Sequence, residues 1–122
     1  MILAVVAAAA GGAGAVLRYL VDGAVQDRTT GAMPWGTLTV NIAGSLLLGL
    51  LTGLAWHHGL SAPWKAALGT GFCGGLTTWS TTSWESVCLV EDRLYKEAFV
   101  STLGGMAVAV VAAIAGIALA TL

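Results

Sequence analysis

Charged residues are rare along this chain, and the few present divide it into four apolar stretches. Residues 1–17, 29–64, 66–84 and 98–122 contain no Asp, Glu, Lys or Arg. A helix that spans a bilayer needs roughly 20 predominantly apolar residues, with a range of about 17–25. The stretch at 29–64 also holds Pro34 and the loop-forming His57, His58 and Gly59, so it supplies one span and its flanks. The pattern predicts four transmembrane helices, over residues 2–20, 35–56, 63–90 and 97–121, in one domain covering 1–122. The connections at 21–34, 57–62 and 91–96 are too short to house an enzyme domain. No positive residue precedes the first stretch as one would in a secretory signal, so it reads as a true span.

Composition turns this pattern into a class. Of the 122 residues, 57% are hydrophobic and 9% charged, and the mean hydropathy is +0.87. A soluble domain carries about 25% charged residues to wet its surface. The same figures exclude a disordered chain. With a formal net charge of -1 and no basic tract, the chain lacks the footprint of a nucleic-acid binder. It reads as an all-α, multi-pass protein of the cell membrane, with the lipid bilayer as its first partner.

Orientation is weakly encoded. Arg28, Arg93 and Lys96 fall on one predicted side and Lys65 on the other, a small margin for the positive-inside rule. Such a margin is compatible with one fixed orientation, or with insertion both ways and an antiparallel dimer. Small residues favour close helix contacts in lipid. Gly49-x-x-x-Gly53 lies in the second span and Ala112-x-x-x-Gly116-x-x-x-Ala120 in the fourth. So much small-residue surface predicts an oligomer. Cys73 and Cys88 have no His beside them and read as small hydrophobes, not metal ligands.

Polar groups inside a bilayer are costly unless they pair or line a water path. Arg18 lies near the end of the first span, where its side chain can snorkel to the interface. Thr37, Asn41 and Ser45 recur every fourth residue and form one stripe on the second helix. Asn41 reads equally as glue between helices or as the lining of a path. The third span is the most unusual. Gly69, Gly71, Gly74 and Gly75 crowd its first half, and all residues from Thr77 to Ser83 except Trp79 carry hydroxyls. Each glycine in a helix interior costs about 1 kcal/mol relative to Ala. Their density predicts a helix interrupted between about Gly71 and Thr78, whose freed carbonyls could meet an ion, as in transporters and channels. Beyond the interruption, Thr78, Thr82 and Glu85 share a face. Glu85 is either a proton carrier or a carboxylate anchored by hydroxyls and Arg18.

Three motifs together resemble the CrcB/Fluc fluoride channel family: Gly14-x-x-x-Arg18-Tyr19, Trp35-Gly-Thr-Leu-Thr-Val-Asn41-x-x-Gly44-Ser45, and Gly71-Phe-Cys-Gly-Gly-Leu-Thr-Thr-x-Ser-Thr81. The resemblance runs over essentially the whole chain. It implies a dual-topology, antiparallel homodimer with two pores that passively exports fluoride from the cytoplasm and so reduces fluoride toxicity. It also implies a structural sodium ion at the dimer interface, held by backbone carbonyls that match Gly74 and Thr77. The family's pore asparagine falls on Asn41, and one pore serine of its fourth helix on Ser101. Its two fluoride-facing phenylalanines fall on Trp79 and Thr82, which depart from the pattern. Trp79 keeps a positive ring edge and adds an N–H donor; Thr82 offers a hydroxyl. The departure fits either altered conduction or a heterodimer with a second homologous subunit that supplies the phenylalanine.

The resulting expectation is a fluoride channel, not an enzyme. Asn41, Trp79, Thr82, Ser83 and Ser101 would lie along its path, and Arg18, Thr37 and Glu85 would be vestibule or structural groups. The alternative is a proton-coupled small-molecule exporter of the small multidrug-resistance type. Exporters of that type carry their working carboxylate in the first span, and residues 2–20 contain none.

Overall fold

The computed structural model describes residues Met1–Leu122. The chain is all-helical. Helix α1 covers Ile2–Gln26 and α2 covers Trp35–His57. Helix α3 runs over 62–76: a first turn at Ala62–Lys65, wide π-helical turns at Ala66–Cys73, and a last turn at Gly74–Leu76. Helix α4 covers Trp79–Glu91, and α5 covers Tyr95–Leu119 with π-helical turns at Val100–Gly104. Three of these, α1, α2 and α5, are long and apolar enough to cross a membrane.

The third predicted span, 63–90, is two helices in series. Thr77 and Thr78 between them are extended, with ψ of 157° and 125°. β-Branched side chains are stiff and suit extended backbone, which favours placing the non-helical residues at a threonine pair. Pro63 opens α3 in the first turn, where a missing N–H removes no helical bond. Thr78 caps α4, its Oγ1 accepting the Thr81 N–H at 3.2 Å.

The glycines do something other than the sequence predicts. Gly71, Gly74 and Gly75 remain helical. A Cβ on Gly75 would collide with the Gly11 carbonyl, and one on Gly14 with the Phe72 carbonyl. These glycines therefore let α1 and α3 touch backbone to backbone, as small residues do between helices in lipid. The Gly49 and Gly116 motifs join α2 to α5 in the same way, against the backbones of Ala113 and Leu46.

Polar neighbours and apolar exteriors divide the molecule. Gly14 is the only buried residue of α1, and residues such as Val5, Val16 and Leu17 face outward. That outward face matches a lipid solvent and not water. The α4–α5 turn places Arg93 at φ +61°, and Leu94 N–H closes it on the Leu89 carbonyl at 2.8 Å.

Candidate functional site: an uncharged cleft at the interrupted helix

The stripe on α2 meets the start of α4. Asn41 Oδ1 accepts the Thr78 backbone N–H at 2.7 Å, and Asn41 Nδ2 donates to the Thr78 carbonyl at 3.0 Å. In a continuous helix that N–H would go to the Gly74 carbonyl; Asn41 takes it instead, and Gly74 stands exposed. Asn41 Nδ2 also reaches Thr82 Oγ1 at 3.1 Å, while Thr82 Oγ1 donates to the Thr78 carbonyl at 3.0 Å. One turn earlier on α2, buried Thr37 donates to Glu85 Oε1 at 2.8 Å. Glu85 Oε2 is buried with no partner.

Arg18 crosses from α1 to the interruption, where Nη1 donates to the Thr77 carbonyl at 3.2 Å. It is partly buried there. It also leaves Glu85 with Thr37 alone as anchor, against the expectation that Arg18 would share that carboxylate.

These elements enclose a cleft of about 250 Å³ between α2, the Thr77–Thr78 link, α4 and α5. Its polar lining is Asn41, Ser45, Thr77, Thr78, Trp79, Thr82, Ser101 and Thr102, and its apolar wall includes Leu38, Leu48 and Met106. No charged side chain lines it. A second cavity of about 600 Å³ is lined by Asp22, Asp27, Glu85 and Asp92. Carboxylates so close together repel an anion. The uncharged cleft is the better place for one.

Comparison with known proteins agrees along almost the whole length. Residues 5–117 match the family described as CrcB-like protein, Camphor Resistance (CrcB). The chain belongs to the CrcB family. This CrcB-family chain is 48% identical to "Fluoride-specific ion channel FluC 1" of Leifsonia xyli subsp. xyli, over 87% of its own length and 77% of the relative's. It is also 48% identical to "Fluoride-specific ion channel FluC 1" of Frankia casuarinae, covering 97% of this chain and 94% of that one. "Fluoride-specific ion channel FluC 2" of Cutibacterium acnes is 45% identical over 90% of each. With its three spanning-length helices, this is a multi-pass membrane protein.

Among the residues expected along a path, Asn41, Trp79, Thr82 and Ser101 come together at the cleft of the CrcB-family chain. Ser83 does not; its hydroxyl donates to the Trp79 carbonyl at 2.9 Å on its own helix. Ser101 lines the cleft but spends its proton on the Ala98 carbonyl at 3.2 Å. Gly74 and Thr77 bracket the interruption, and the Thr77 carbonyl already receives Arg18. Two features escaped the sequence reading. Ser86 and Thr102 pair hydroxyl to hydroxyl between α4 and α5, which the spacing Thr78, Thr82, Ser86 could have flagged. The Arg18–Thr77 contact joins residues 59 apart, and no local pattern signals it.

Proposed function

We propose that this protein is a fluoride channel that lets the anion leave the cytoplasm passively. The observation that carries the reading is the uncharged cleft at the interruption between α3 and α4, in a chain whose relatives are named for fluoride-specific conduction. Fluoride holds its water tightly, so a narrow path must offer donors in place of that water, the principle by which channel filters select. Neutral hydroxyl, indole and amide groups line the cleft without fixed charge, so the ion is not trapped. The α3–α4 pair makes the fourth crossing, its interruption lying near the midplane. Two chains insert in opposite orientations and pair as a homodimer with two paths.

A structural sodium ion fits the donors at the interruption. Neutral carbonyl oxygens suit a hard monovalent cation; Gly74 has lost its Thr78 partner, and the Thr77 carbonyl keeps a second lone pair beside Arg18. Arg18 is a fixed positive charge that the neighbouring sequence does not reveal, and it shares this site. When bound, sodium would offset the carbonyl dipoles that two chains bring together, and so favour the assembled state.

The test is efflux from liposomes loaded with fluoride or chloride and containing the purified protein. Fluoride should leave far faster than from protein-free liposomes, and chloride should stay. Equal leakage of both, or none of either, overturns the reading. Replacing sodium with N-methylglucamine should lower fluoride efflux or the dimer fraction in size-exclusion chromatography. Unchanged values would remove the sodium site and leave the channel standing.

A further inference from the structure

The cleft has more polar side chains than free donors. Thr77 Oγ1 donates to the Cys73 carbonyl, Thr102 Oγ1 to the Ala98 carbonyl, and Thr78 Oγ1 is tied to Ser80 and Thr81. Ser101 and Thr82 likewise donate to backbone carbonyls. Asn41 has two amide protons and two acceptors for them, the Thr78 carbonyl and Thr82 Oγ1. By this count only two polar side chains of the cleft keep a donor without a partner in the chain: the Ser45 hydroxyl and the Trp79 indole N–H.

Ser45 is the third member of the α2 stripe. Thr37 is matched by Glu85 and Asn41 by Thr78 and Thr82, because α4 runs alongside that part of α2. Ser45 lies one turn beyond Asn41, where α4 has already given way to the extended link. Ser45 lines the cleft, and its hydroxyl makes no hydrogen bond within the chain. The geometry points to Ser45 as the α2 donor that meets the anion, with Thr82 holding the Asn41 amide as a brace. Thr82 therefore limits the donors the path can offer, since its hydroxyl oxygen takes one Asn41 N–H. This assignment rests on the fluoride-channel reading and refines which donors replace the ion's water.

Efflux from fluoride-loaded liposomes tests it, with size-exclusion elution checking each variant's fold. Ser45→Ala should slow efflux at least tenfold, and Ser45→Thr, which keeps the hydroxyl, should restore most of it. Thr82→Val keeps the shape, removes the acceptor and frees an Asn41 N–H, so efflux should rise several-fold. In the double variant Ser45→Ala/Thr82→Val, the freed amide should recover part of the lost rate. Parental efflux with Ser45→Ala overturns the Ser45 assignment while the channel reading survives. Unchanged or lower efflux with a folded Thr82→Val overturns the brace. If Ser45→Ala does not fold, loss of efflux in folded Ser45→Thr overturns the assignment instead. A parent protein that moves no fluoride overturns the channel reading and this inference together.

Discussion

At the scale of single residues, the polar groups between α2 and α4 form a chain of obligations. Thr37 gives Glu85 its sole hydrogen bond, and removing one partner of a buried polar pair exposes the full desolvation penalty of the other. Thr37→Val should therefore destabilise the folded protein by about 1–3 kcal/mol, read as a lower denaturation midpoint in detergent. Thr37→Val/Glu85→Leu should lose less than the two single variants summed, because the pair is coupled. Strict additivity would mean the contact carries no energy. Asn41→Asp should be comparably damaging, since a carboxylate oxygen would then face the Thr78 carbonyl where an N–H now donates. The α2 stripe was legible from its four-residue spacing. Its partners were not, because they lie tens of residues away and depend on where α3 stops.

The helices themselves were legible where apolar length alone decides, as in α1, α2 and α5. The interruption expected between about Gly71 and Thr78 narrows to Thr77 and Thr78, because glycine has two meanings. Crowded glycines signal either an unwound backbone or a close helix contact, and what arbitrates is the facing helix. Here that helix is the Gly/Ala-rich α1, so Gly71 and Gly75 are contact residues and the extended backbone falls on Thr77 and Thr78. The two roles separate by substitution. Gly75→Ala puts a methyl into the Gly11 carbonyl and should cost about 1–3 kcal/mol, the range for overpacking. Gly12→Ala, one residue along α1 with nothing within 4 Å, should be neutral or stabilise by up to about 1 kcal/mol. Equal effects would show that α1 and α3 do not pack as described. At the α4–α5 turn, Arg93→Gly should raise stability by about 1 kcal/mol, because φ of +61° strains any residue with a Cβ. No gain in denaturation midpoint would mean the turn relaxes without glycine.

For the whole molecule, the decisive property is how little the loops favour one orientation. The α1–α2 and α4–α5 connections lie at one end of the bundle with Arg28, Arg93 and Lys96, and the α2–α3 connection lies at the other, followed by Lys65. Basic residues in short loops set which end stays in the cytoplasm, so a change of two should commit the chain. Thr30→Lys/Glu97→Lys loads the first end, at an exposed and a half-buried position that make no side-chain hydrogen bond. His57→Lys/Ser61→Lys loads the other, at exposed positions. If the working unit is an antiparallel pair, each variant expressed alone should insert one way and conduct at least tenfold less than the parent. The two expressed together should regain most of the parental efflux, because each supplies the orientation the other lacks. Full conduction by either variant alone, with its orientation fixed as judged by labelling an engineered loop cysteine from one side, would exclude the antiparallel pair. The cleft would then be complete within one chain or between parallel ones, and the proposed cation site between opposed interruptions would lose its geometry.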